Sequence, residues 1–284
     1  MNKYLIITAL ALLTLQQIFA QDEPWREEMK YLKYSPRYFG PNAFPLPELH
    51  NGLLCSEIEA EIRGDYHHYS GDRTKDVYAR VFIPVAGGLA GVEVGGVIYE
   101  YYNMSEETHL ERHSAGTRWP QGAHGDIIVS SYYQLIRNNK WADVMLEATL
   151  KTASGNRLAD ARFTDAASYW FDVNAGRNLL NTNNLTLKLQ ALAGFYCWMT
   201  NDVMHRQNDA LVGSVGISGS VGGNIRFAAD IVSLYGYENN GDRPIQLRTR
   251  LEYEYRRNAL SFRYKHGIKD SLYDSFSLGY IRFF

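Results

Sequence analysis

The fold that this sequence predicts is an all-β, transmembrane, up-and-down antiparallel barrel of about twelve strands, with a proline-rich amino-terminal plug or strap. Three observations predict it. From Cys55 onward apolar and polar residues alternate with period two, which is the signature of strands with two unlike faces. The connectors between those runs alternate short and long. The composition is aromatic yet polar, with 21 Tyr, 12 Phe and 5 Trp beside a mean hydropathy of -0.32, so the rings must meet something other than a deep dry core. Interfacial girdles of a membrane barrel are such a place.

Residues 1–20 read as a secretory signal. Lys3 supplies the positive start, Leu5 to Leu15 the apolar core and Ala20 the small residue before cleavage at Gln21. No later apolar stretch reaches the roughly 18 residues a membrane helix needs. A mature chain that spans a membrane must therefore do so with strands.

Residues 21–53 form a second region. Five of the eight prolines fall between Pro24 and Pro47, and proline removes ladder donors. Tyr31, Tyr34, Tyr38, Phe39 and Phe44 nevertheless want a surface to pack on. A lumen plug, a strap on the periplasmic side and a mobile tail are the three placements open to it. Cys55 and Cys197 either pair, as exported cysteines can, or stay as separate thiols.

Residues 54–284 form the barrel. Its alternation is clearest in Ile58, Ala60 and Ile62 against Glu57, Glu59, Glu61 and Arg63, and again in Leu247, Leu251, Tyr253 and Tyr255 against Arg248, Arg250, Glu252, Glu254 and Arg256. Similar runs lie near 74–84, 90–103, 125–136, 141–152, 165–176, 183–198, 208–219, 223–236, 258–267 and 272–284, each near the roughly 9 to 11 residues a tilted strand requires. With the amino end inside, the inner connectors near 85–88, 137–140, 177–183, 221–224 and 256–258 are short. Those near 103–125, 152–164, 200–208 and 236–243 are long, as bacterial barrels arrange them, and nothing in their composition marks 103–125 as helical. A sandwich would not be expected to keep that alternation.

The last strand runs to an aromatic end. Tyr280, Phe283 and Phe284 are expected to act as a signal for barrel assembly, with Phe276, Leu278, Tyr280 and Phe284 facing lipid if Arg282 snorkels. The opposite register would send Gly279, Ile281 and Phe283 outward.

The charged faces bear on function. Glu57, Glu59, Glu61, Arg63 and Asp65 on the first strand, and Arg248, Arg250, Glu252, Glu254, Arg256, Arg263 and Lys265 on the tenth and eleventh, are expected to line the lumen. Closure leaves only the last strand between them. Such ladders either neutralise each other in a filled lumen, since a buried charge needs a partner, or set the preference of a pore.

Catalytic readings are weaker. Outer-membrane phospholipases use a Ser-His pair on the barrel wall, but His68-Tyr69-Ser70 runs into a Gly-Asp turn with no assignable Asn partner. His109 and His113 have the i, i+4 spacing of a helical metal pair, yet read as solvated loop residues. No metal and no cofactor is expected. A net charge of -2 and a pI near 6.5 leave no basic footprint for nucleic acid.

Ser35 to Ala43, Lys151 to Asn156 with Ala161 to Asp165, and Tyr235 to Pro244 together resemble uncharacterised outer-membrane barrel proteins of the Bacteroidota. The Gly125-Asp126 strand start and the Lys-Thr-Ala-Ser-Gly run are loosely similar to porin-like barrels linked with aromatic-compound uptake. The first resemblance covers most of the mature chain and implies fold and location, not activity. The reading is then a narrow pore or transporter for small polar solutes in the outer membrane of a Gram-negative bacterium, its partners being membrane lipid, the barrel-assembly machinery and a small polar solute. The alternatives are a structural or partner subunit of an outer-membrane complex, with an unknown protein partner, and, third, a lipid hydrolase.

Overall fold

Period-two alternation places one face of every strand outward, and the structure closes those strands into a ring. The computed structural model describes residues 31–116, 120–202 and 204–284. The predicted signal segment 1–20 and the first part of the segment 21–53 lie outside the described residues. The strands are β1 (Glu59–Tyr69), β2 (Asp72–Val85), β3 (Ala90–Met104), β4 (Gln121–Ala123), β5 (Ile127–Ile136), β6 (Asp143–Lys151), β7 (Ser168–Asn181), β8 (Leu185–Met199), β9 (Gln207–Val221), β10 (Ile225–Gly236), β11 (Ile245–Tyr255), β12 (Asn258–Lys269) and β13 (Asp274–Phe283). Neighbours pair antiparallel in chain order, and β1 pairs with β13 as well as β2. The result is a closed barrel of twelve strands, with the short β4 added along the upper part of β3.

The outer surface is apolar through its middle. Val81, Leu189, Val215, Ile231, Leu251, Leu260 and Leu278 are all exposed. A soluble protein rarely shows so large a contiguous apolar surface, and a lipid-facing band explains it. Exposed aromatics collect toward both rims: Tyr99, Tyr101, Tyr235 and Tyr237 at one, Trp141, Tyr253, Tyr255 and Tyr280 at the other. They are the two girdles that the composition foreshadows.

Connector lengths follow the expected asymmetry. One end carries the tight turns at 86–89, 137–142, 182–184, 222–224 and 256–257. Gly222 and Gly223, at φ 61 and 77, give the β9–β10 turn the left-handed backbone that side chains disfavour. The other end carries the long loops, apart from a two-residue turn at Ser70-Gly71 and the four-residue connection 270–273. One loop departs from expectation. Residues 106–112 form a helix, α1 (Glu106–Arg112), where a plain loop is expected. Ser105 caps it by accepting from the Thr108 N–H, and Glu106 and Glu107 occupy its first turn, where the helix dipole favours acids.

The facing of β13 is settled by burial. Phe276, Leu278, Tyr280 and Phe284 point outward, while Gly279, Ile281 and Phe283 are buried inside. Arg282 lies at the short-turn rim, where it donates to the Asn258 side chain and the Arg257 carbonyl. Cys55 and Cys197 are both free thiols, so the pairing alternative fails.

The core is not between sheets but inside the ring. Leu32, Tyr34, Phe39, Ala43 and Phe44 of the amino-terminal segment pack on Trp170, Leu192, Tyr196, Trp198, Val212 and Leu234 of the barrel wall. A file of ring contacts joins the two: Tyr34 to Phe39, Phe39 to Phe44, Phe44 to Trp198, Trp198 to Tyr196 and Tyr196 to Trp170, with centroids 5.1 to 5.7 Å apart. Each such pair contributes about 0.5–1.5 kcal/mol beyond its burial. Of the placements open to this segment, the described residues adopt the plug.

Candidate functional site

The plug enters the lumen at the long-loop end and leaves it at the short-turn end. Hydrogen bonds fix it along the way. The Trp198 indole donates to the Tyr34 carbonyl at 2.8 Å and the Tyr34 hydroxyl to Asp165 at 2.7 Å. The Gly40 N–H donates to the Ala161 carbonyl at 2.8 Å. Lower down, Arg248 donates to the Pro47 carbonyl at 2.9 Å, the His50 N–H to Asn174 at 2.8 Å and the Leu54 N–H to Gln134 at 2.9 Å. Prolines suit this path because an extended segment crossing a lumen needs few ladder donors.

Under the long loops lies a buried ionic network. Arg162 is completely enclosed and donates to Glu100 at 2.7 Å, Asp72 at 2.5 Å and Thr74 at 2.7 Å, while its guanidinium lies 4.5 Å from the Tyr102 ring centre. Arg112 of α1 and the Tyr273 hydroxyl reach the same Asp72 oxygen at 2.9 and 2.6 Å. Asn42 of the plug donates to both Glu100 and Asp76. Leu158 and Ala161 of the 152–167 loop pack on the plug, so this loop folds inward.

Beside the plug the lumen keeps open volume, reaching from Asp126 and Tyr273 at the long-loop end to Asn181 and Ser220 at the short-turn end. A cavity of about 720 Å³ lies between the plug residues Pro45, Leu46, Glu48, Leu49 and His50 and a charged wall. Of the residues expected there, Glu59, Arg63, Arg248, Arg250, Glu252, Arg263 and Lys265 line it. Glu61 sits behind them, buried, and accepts from Arg80 at 2.6 Å and Arg263 at 2.8 Å. That last bond crosses β13 at Gly279, where a Cβ would come 3.2 Å from the Glu61 carboxylate and 2.6 Å from the Ser261 hydroxyl. The missing side chain is what lets the first and twelfth strands share charge.

Other placements differ. Glu254 is at the short-turn rim, 3.0 Å from Arg226. Glu57 precedes β1 and is exposed. Arg256 leaves the predicted inward row: it occupies the β11–β12 turn in the left-handed conformation, φ 57, exposed. The turn takes the chain out of the pleat before that residue. Sequence reasoning missed Arg80, Glu93, Arg226 and Lys188, all on this wall. Arg80 is the hub of the missed group, holding Glu59, Glu61 and Glu93 at 3.1, 2.6 and 2.7 Å. Its place in a period-two run was the available signal.

The histidine and serine candidates do not assemble. His67 faces inward, its ring nitrogens 2.7 Å from Ser275 and 2.8 Å from Asp76, whereas His68 is exposed on the other face. Ser70 is exposed in the turn, and among the described residues its hydroxyl bonds neither histidine. His109 is in the last turn of α1 with Nδ1 against the Ser114 hydroxyl, and His113 lies beyond the helix end.

Known structures share the architecture. The crystal structure of an outer membrane channel from Pseudomonas putida F1 superposes with a TM-score of 0.55 at 11% identity, covering 86% of this chain and 97% of the channel. The NanC porin superposes with a TM-score of 0.51 at 12% identity, covering 79% and 99%. At that identity the likeness is one of fold, the closed barrel of outer-membrane type. No family model and no curated protein matches the chain.

Proposed function

We propose that this protein is an outer-membrane channel that passes small polar solutes, kept narrow by its own amino-terminal segment. The observation that carries the reading is the cavity of about 720 Å³ beside the plug, left open in the lumen and carrying many charged side chains among the apolar ones of its wall. A barrel that served only as a scaffold gains nothing from carrying so many charges where each must be paired. Rings and ladders of charge are how a pore chooses its solute. The two structural neighbours described above are a channel and a porin by name, which agrees with the reading.

The same reading takes residues 1–20 as a cleaved export signal and Tyr280, Phe283 and Phe284 as the terminus presented to the barrel-assembly machinery. It groups the chain with the Bacteroidota barrels that its Ser35–Ala43 and Tyr235–Pro244 runs resemble. It assigns no catalytic residue.

Two measurements test it. Heat-modifiable migration on a gel checks that the purified chain folds as a barrel. Planar bilayers then compare the full chain with a variant lacking residues 22–49. Small conductance from the full chain and a larger one from the deletion is the expected result. Silence from both folded proteins would sink the channel reading.

A further inference from the structure

The lumen carries two directly opposed pairs of like charge. In the β11–β12 ladder Arg248 lies opposite Lys265 and Arg250 opposite Arg263. Like charges in such register destabilise a sheet, so the patch calls for anions. The wall supplies some of them. Arg248 reaches Asp230 at 2.7 Å and Arg263 reaches Glu61 at 2.8 Å. Among the described residues Arg250 pairs only with Glu252, at 3.5 Å, and Glu252 is shared with Arg226 at 3.2 Å. Among the described residues the Lys265 side chain makes no hydrogen bond or ion pair, and the carboxylates whose charge reaches it are Glu48 and Asp65.

Glu48 does not belong to the wall. It is carried by the plug, and the bond from Arg248 to the neighbouring Pro47 carbonyl, 2.9 Å, sets it over the patch. Its carboxylate is 4.0 Å from Arg248, and 49% of its side chain stays open to the cavity. This is a loose contact. A carboxylate designed as a permanent partner would close to the 2.7–2.9 Å of a charge-assisted bond.

We infer that Arg250, Arg263, Lys265 and Arg248 form a binding site for the carboxylate of a small acidic solute, and that Glu48 is a tethered carboxylate which occupies this site until a solute displaces it. The inference rests on the channel reading and names its solute class. A single carboxylate is the ligand the patch already accommodates. Guanidinium forks fit that group bidentately, and the Lys265 ammonium serves as a point charge beside them. Tethering also sets the working range, because a short linker gives an effective concentration on the order of millimolar. Solute at millimolar concentration or above competes, and the site empties again as Glu48 returns, as conduction requires.

The test uses the full chain refolded in detergent, with folding of each variant checked by heat-modifiable migration. Sodium gluconate and the neutral polyol sorbitol are titrated in a calorimeter, and the same pair is added to the channel in planar bilayers. Gluconate should bind and reduce the current where sorbitol does neither. Glu48→Gln, which removes the internal competitor, should tighten gluconate binding by about tenfold. The double variant Arg250→Gln with Lys265→Gln should weaken it by at least about tenfold. A folded barrel that binds gluconate no better than sorbitol overturns the inference, as does an affinity unchanged by Glu48→Gln. A silent bilayer with calorimetric binding intact fails the channel reading alone, and a conducting barrel indifferent to gluconate fails this inference alone.

Discussion

Replacing Arg162 by methionine tests how the long-loop half of the lumen is held. Methionine keeps much of the volume, so the loss is electrostatic. Arg162 is fully buried and bonded to Glu100, Asp72 and Thr74. Removing one partner from a buried pair costs about 3–5 kcal/mol because the other charge stays behind. Asp72 keeps Arg112, Tyr273 and Thr74, which lowers its share. Glu100 keeps only Asn42 among the described residues and bears most of the cost. The lost cation–π contact with Tyr102 adds up to about 2 kcal/mol for a desolvated pair. A destabilisation of about 4 kcal/mol follows, a large fraction of the 5–15 kcal/mol that folded proteins have. The assay is equilibrium urea unfolding in lipid vesicles, followed by fluorescence, since Trp170 and Trp198 are buried in the lumen. The double variant with Glu100→Gln should recover about 2 kcal/mol, because it removes the stranded charge. A loss below about 1 kcal/mol, or strictly additive effects, would refute the argument.

Phe44→Ala removes the ring that links Phe39 to Trp198 and should weaken plug docking by about 3–5 kcal/mol, seen as faster hydrogen exchange over residues 32–44 and more frequent large current steps. Gly279→Val puts side-chain atoms where Glu61 and Ser261 crowd the backbone. Overpacking of this kind costs about 1–3 kcal/mol, and the urea midpoint should fall accordingly. Glu48 gives a pH prediction. Enclosure by the barrel opposes its ionisation, but the charges of Arg248, Lys265, Arg263 and Arg250 outweigh that and hold it well below its ordinary value of 4.5. A depressed folded value means that the docking it contributes is complete above pH 4.5 and is lost as the pH falls through the lower folded value. The gluconate block should therefore be nearly flat from pH 8 to pH 5 and change only below pH 4.5; a midpoint near neutrality would contradict the placement of Glu48.

The strands were legible because their alternation is forced twice over, by lipid outside and charge inside. Ile62 against Glu61 on β1 and Leu251 against Glu252 on β11 show the same demand on two separate strands. Connector lengths separated a short-turn end from a long-loop end independently. The plug was legible only as a need, since Phe39 and Phe44 had to pack somewhere, and sequence does not say on which surface. Helix α1 was missed because seven residues carry too little periodicity to outweigh loop composition, although Ser105 ahead of Glu106 and Glu107 was a readable cap. Arg162 sits in a loop whose sequence names no partner for it: Asp72 and Glu100 lie 90 and 62 residues away, and only barrel closure brings them together. Gly279 illustrates the same limit: its role exists only across three strands.

The distribution of anchors along the plug decides how a solute can pass. Residues 32–44 are tied by an aromatic file and by bonds through Tyr34, Gly40 and Asn42. Residues 51–54 are tied through Gln134 and Arg137 to the wall. At about 1 kcal/mol per net hydrogen bond, with the buried rings added, ejecting the whole segment costs as much as a small domain gains by folding. Between these anchors Pro45, Leu46, Leu49 and His50 are half-buried, Glu48 is exposed to the cavity and Pro47 is buried, and among the described residues the backbone of this stretch is held by the Arg248 bond to Pro47 and the Asn174 bond to His50. A shift confined to that stretch breaks two backbone hydrogen bonds and the contacts of the His50 ring with Glu147 and Tyr132 rather than the whole set. It also moves Glu48 away from Arg248 and Lys265, so the least costly opening of the lumen is the one that frees the charged patch.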